Sequence, residues 1–163
     1  MAWSRTWKRV RREIARYRKA APKVLALESR DWRDLARAQL ALVRAQREMR
    51  SMPTGEMVRE ETPPSGAPTG DRGDDARRIA LAVNRAATFG LFRPKCLVKS
   101  RALRKLLDEA GVGGAQVKVG VQLLDGRFFA HAWVEYAGQV VGDDPVVVAR
   151  FVPMLGIQVA ELE

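Results

Sequence analysis

Apolar positions near the start of the chain recur at helical spacing. Trp3, Trp7, Val10, Ile14 and Tyr17 are separated alternately by four and three residues. That spacing puts them on one face of an amphipathic helix whose other face is Arg and Lys. Ala20-Ala21-Pro22 ends the pattern, because proline cannot continue a helix. A second helix is predicted over 31–50, with Asp31 as N-cap and Trp32, Leu35, Leu42 and Met49 on its apolar side. Periodicity then stops. Residues 53–73 are rich in Pro, Gly, Ser and Thr and read as a flexible linker, with disorder expected around 63–73.

The second half alternates differently. A helix is predicted from Asp74 or Asp75 through Ile79, Val83 and Ala87, before Gly90 and Pro94 break the chain. Another begins near Cys96 and runs to Ala110, with Gly111 as its stop. Period-two runs follow over 116–124, 128–136 and 139–143. They are separated by Asp125-Gly126 and Ala137-Gly138, which signal hairpins. A short helix or turn after Pro145 and an edge strand over 157–162 complete the pattern. Helices first and antiparallel strands afterwards define an α+β domain. The expected organisation is a basic helical segment over 1–52, a linker over 53–73 and a folded domain over 74–163.

Charge changes this picture in one respect. The net formal charge is +10 over 163 residues. Residues 1–50 hold 15 Lys/Arg against 5 Asp/Glu, and residues 51–163 hold 14 of each, so the whole imbalance sits at the N-terminal end. A basic helix bearing tryptophans could dock on phosphates, which keeps a nucleic-acid-binding module among the readings. The neutral remainder carries no recognisable nucleic-acid motif. A solvated basic face, or one that meets an anionic partner, leader or membrane surface, is the other reading. No continuous apolar stretch follows the basic start, and none approaches the length of a membrane span, so a cytoplasmic protein is expected. One cysteine and one histidine are present. An intramolecular disulfide is impossible, and a zinc site built from several Cys and His ligands is nearly excluded.

The cysteine and the histidine carry the candidate chemistry. Cys96 falls at the predicted first turn of a helix, where unpaired backbone N–H groups and the helix dipole stabilise a thiolate. The same N–H groups could form an oxyanion hole. Cys96 could equally be a small core residue of a helix made amphipathic by Leu97, Leu103, Leu106 and Leu107. His131 lies mid-strand, in phase with Trp133 and Glu135. It would serve as general base for the thiol, or simply as a satisfied half-buried residue. A two-residue turn after Tyr136 would force Ala137 to positive φ, so a three-residue loop closed by Gly138 is expected. That register pairs Glu135 with Gln139 and sets Asp143 opposite His131, where a carboxylate fixes the imidazole tautomer. A two-residue loop would set Asp144 there instead. Asp143-Asp144-Pro145 also suits the plain end of a strand.

The stretches CLVKSRALRKLLDEAGV, VKVGVQLLDGRFFAHAWVEYAGQVVGDDP and ARFVPM resemble the protease component of lasso-peptide biosynthesis. Such proteins are similar to transglutaminase-like, papain-like cysteine peptidases. The resemblance is close over 74–155 and weaker over DWRDLARAQLALVRAQREM. It implies Cys96 as nucleophile, His131 as base and Asp143 as orienting acid, and it departs at Gly142, where a larger polar residue such as Asn is expected. It implies removal of the leader from a ribosomal precursor peptide through an acyl-enzyme, with no cofactor. The chain shows no obvious winged-helix module, so the resemblance is to the split system, in which a separate protein recognises the leader and an ATP-dependent cyclase acts next. A transglutaminase-like amidase or acyltransferase on another substrate is the alternative within enzymes.

Overall fold

A computed structural model of the chain describes residues 28–51 and 72–154. The predicted helix of Trp3 to Tyr17, the linker of 53–73 apart from its last two residues, and the strand expected at 157–162 lie outside them. The chain divides into two compact units, Met1–Asp34 and Leu35–Glu163. Four helices and one sheet are described: α1 (Ser29–Ser51), α2 (Gly73–Phe89), α3 (Cys96–Glu109), β1 (Gln116–Leu124), β2 (Arg127–Tyr136), β3 (Gln139–Val141), α4 (Pro145–Val148) and β4 (Val152–Pro153). This is an α+β architecture.

Helix α1 starts two residues before the predicted Asp31. Asp31 lies inside the first turn, and its carboxylate accepts from the Glu28 N–H at 3.3 Å. The buried stripe of α1 is made of small residues, Ala38, Ala41 and Ala45 around Leu42. Leu35 and Met49 pack at its margin, whereas Trp32, assigned to the apolar side from spacing, is 49% exposed. The alanines join Ile79, Val83, Leu103 and Leu107 in one core. Small side chains let helix backbones approach closely, so this stripe buries apolar surface without needing bulk.

Helix α2 opens with Asp74 and Asp75, favourable charges at the positive end of its dipole. It ends at Gly90, where a Cβ would collide with the Gln39 side chain and the Ala86 carbonyl. Gln39 Oε1 accepts from the Leu91 N–H at 3.2 Å. This contact ties the segment leading to Cys96 back to α1. Helix α3 stops as expected: Gly111 takes φ +71° and Val112 N–H reaches the Leu107 carbonyl at 2.9 Å, a Schellman closure.

The sheet is antiparallel in the order β3-β2-β1-β4. The β1–β2 hairpin turns on Asp125 (φ +50°) and Gly126 (φ +73°), the two-residue type I′ geometry favoured by Asp-Gly. The second hairpin overturns the expected register. Tyr136 pairs with Gln139, so the loop has two residues, and Ala137 accepts φ +49° beside Gly138 at +73°. The turn's twist matches the strands, and that match outweighs the steric penalty on one alanine. Strand β3 ends at Val141, two residues before the predicted end. After α4 the chain crosses to the far edge, where β4 pairs with β1.

Candidate active site

Helix α3 begins at Cys96 itself. The first intrahelical bond runs from the Lys99 N–H to the Lys95 carbonyl at 3.0 Å, and Lys95 provides no side-chain cap. The N–H groups of Cys96, Leu97 and Val98 therefore have no intrahelical acceptor. They point out of the helix end beside the thiol, which is partly exposed and free. One helical turn on, Ser100 is fully buried and its Oγ donates to the Ala132 carbonyl at 2.9 Å. Leu103, a further turn along the same face, lies against Gly142. The α3 face that starts with Cys96 is thus seated against Ala132 of β2 and Gly142, the chain neighbours of His131 and Asp143.

His131 occupies β2 opposite Gly120. Its neighbours on the core side of the strand, Val134 and Tyr136, belong to the helix-packed core. His131, Trp133 and Glu135 alternate to the other side. Trp133 is buried, donates from Nε1 to Glu135 Oε1 at 2.8 Å, and lies 6.3 Å from the imidazole centroid at 22°. A Cβ on Gly120 would come within 2.8 Å of that indole, so glycine is what leaves it room. Phe151, just ahead of β4, approaches the imidazole at 5.1 Å between centroids. The ring is walled by aromatic surface.

The aspartate arrives by a route the alternation of residues does not encode. The β2–β3 ladder, continued in register, would bring Asp144 level with His131. The ladder stops at Val134↔Val141, and Gly142 takes φ +77°. This left-handed residue acts as a bulge and shifts the chain by one position. Asp143 Oδ2 then lies 2.8 Å from His131 Nε2. Gly142 also accounts for the departure from a larger polar residue: a Cβ there would be 2.6 Å from Leu103 Cδ2. Asp144 is used elsewhere, as N-cap of α4, with Oδ1 accepting from Val146 N–H at 2.9 Å.

Electrostatics fixes the roles within the pair. Burial pushes the Asp143 carboxyl up, but Lys99, the Asp144 N–H at 3.0 Å and His131 together hold it below its ordinary value. An ionised carboxylate only accepts, so Nε2 is the donor in this contact, and in a neutral ring Nδ1 then keeps a lone pair. An imidazole in that tautomer can take a proton from a thiol on its Nδ1 side. His131 and Asp143 are thus in direct contact, and Lys99, three residues after Cys96 on α3, reaches the same carboxylate.

Residues 39–156 match the family described as the transglutaminase-like superfamily. The chain belongs to that superfamily. It is also 36% identical over 57 residues to the microcin J25-processing protein McjB of Escherichia coli, a stretch covering 35% of this chain and 26% of that protein. The chain thus matches about a quarter of its curated relative's length. No solved structure matches. The superfamily match begins at Gln39, inside α1, which agrees with the alanine stripe of α1 lying in the common core.

Two functional features escaped the sequence reading. Lys99 donates to the Gly142 carbonyl at 3.1 Å and lies 3.5 Å from Asp143 Oδ2. Ser100 anchors α3 to β2. The signal available for both was two polar residues, three and four positions after Cys96, on the face of a helix that otherwise turns leucines inward.

Proposed function

We propose that this protein is a cysteine peptidase that removes the leader from a ribosomally made lasso-peptide precursor. The observation that carries the reading is the imidazole–carboxylate pair of His131 and Asp143 beside the α3 face that begins with Cys96 at an uncapped helix start. Membership of the transglutaminase-like superfamily and the partial likeness to a microcin-processing protein support it. In the proposed reaction His131 Nδ1 takes the Cys96 proton and the thiolate attacks the leader–core carbonyl. The N–H groups at the start of α3 receive the developing oxyanion. The imidazolium returns its proton to the leaving amine of the core. Water, deprotonated by the same imidazole, then releases the leader acid from the thioester. A separate leader-recognition protein presents the precursor, and a cyclase receives the freed amine.

The test is incubation of the purified protein with precursor peptide, with and without the recognition protein, read by mass spectrometry. The expected products are a leader with a free carboxylate and a core with a free amine, formed faster with the recognition protein. Cys96→Ala should form neither while retaining the wild-type circular dichroism spectrum. Cleavage at near wild-type rate by that variant would sink the reading. A leader product heavier by a condensed amine would point to acyl transfer instead.

A further inference from the structure

We propose that Lys99 is a positioning residue that straps the Cys96-bearing helix to the bulge carrying Asp143. The inference rests on the peptidase reading given above. Lys99 follows Cys96 by three residues, so its stem leaves α3 on nearly the same side one turn on. A lysine at such a place ordinarily runs outward to water. This one is turned in: its side chain is 20% exposed, and its Nζ meets the Gly142 carbonyl at 3.1 Å and Asp143 Oδ2 at 3.5 Å. Ordering a lysine stem costs rotamer entropy, so this conformation has to be held by its contacts.

The two contacts do different jobs. Gly142 stands in the left-handed bulge that ends the β2–β3 ladder. The ammonium gives its carbonyl a donor, and so stabilises the one-residue shift that brings Asp143 to the imidazole. The longer approach to Oδ2 is electrostatic. His131 Nε2 holds the short bond to that oxygen at 2.8 Å, and the ammonium keeps the carboxylate ionised without displacing it. The groups facing this carboxylate are Lys99 from α3, His131 from β2 and the Asp144 N–H, while the Asp144 carboxylate is engaged at Val146. Because Lys99 and Cys96 share a helix, any slide of that helix relative to the sheet would break both contacts at once.

The experiment compares Lys99→Met, which keeps a stem of similar length without the charge, with Lys99→Arg and Lys99→Gln in the full-length chain. Carbon-13 NMR of labelled aspartates gives the Asp143 carboxyl titration, assigned by its absence in Asp143→Asn. Loss of the ammonium should raise that midpoint by about half a pH unit or more in Lys99→Met and Lys99→Gln, and Lys99→Arg should restore it. Precursor cleavage should lose about tenfold in kcat, with KM nearly unchanged, and recover in Lys99→Arg. An Asp143 titration unmoved in both neutral variants overturns the proposal, whatever the cleavage assay gives. A shifted titration with undiminished kcat also overturns it. A shifted titration in a protein whose wild type cleaves no precursor supports the Lys99–Asp143 strap and overturns the peptidase reading instead.

Discussion

The hydroxyl of Ser100 donates to the carbonyl of Ala132 at 2.9 Å, inside a fully buried contact between α3 and β2. The bond lies one turn from Cys96 at one end and one residue from His131 at the other, so it sets the distance between α3 and β2 at these two residues. Ser100→Ala should cost about 1–2 kcal/mol, the value of a buried hydrogen bond with its desolvated acceptor, measured from urea unfolding midpoints. Cleavage should fall in kcat more than the small loss of stability implies. An unchanged midpoint would mean the bond contributes nothing.

Asp143 makes stability depend on pH in a definite direction. Its folded pKa is held below the ordinary 3.8 against the opposing effect of burial, chiefly by Lys99. The stabilisation it contributes is therefore complete above the unfolded value and is lost as pH falls through the folded one. Asp143→Asn removes the titrating group. Unfolding midpoints of wild type and variant should differ at about pH 6 and converge only as pH falls below 3.8 and through the lowered folded pKa. A gap that stays constant across this window would contradict the charge-based account.

Gly142 is constrained twice, by φ +77° and by Leu103 Cδ2, which lies 2.6 Å from where a Cβ would stand. Gly142→Ala should destabilise by about 2–3 kcal/mol, combining left-handed strain with overpacking. Gly142→Asn tolerates the backbone better but still meets Leu103. Pairing it with Leu103→Ala should recover cleavage lost by the single change, and a double variant no better than Gly142→Asn would argue against the steric cause.

Ala137 offers the opposite case. It sits at φ +49° in the exposed β2–β3 turn, where asparagine and glycine are the favoured residues. Ala137→Asn should raise stability by about 0.5–1 kcal/mol by relieving left-handed strain. Thermal unfolding reads this directly, and a lowered Tm would show that the alanine is held by something other than the turn.

Much of the fold was legible because its signals are local. Asp125-Gly126 and Gly111 mark a turn and a helix end through backbone requirements that few residues meet, and the strand over 116–124 appears at its predicted limits. Trp32 and the alanine stripe of α1 show where spacing misleads. Hydrophobicity ranks the tryptophan first, yet the helix interface selects for small size. The register of β2 with β3 shows a second gap. The cost of a left-handed Ala137 favours a three-residue loop, which would bring Asp143 to His131 directly. The structure reaches the same contact through a two-residue loop and a bulge at Gly142. Strain weighed at one turn says nothing of a compensating shift several residues along the chain. Lys99 was illegible for a related reason, since its partners lie 43 and 44 residues later and exist only once the bulge has formed.

The aromatic-walled imidazole is also the sole histidine of the sequence. The protein therefore carries a built-in isotopic reporter: nitrogen-15 histidine labelling yields one ring, with no assignment problem, at the point where helix, strand and bulge meet. Its two nitrogen shifts distinguish a proton on Nε2 from one on Nδ1. A molecule bound at this ring or a slip of the bulge would each be read at a single pair of resonances.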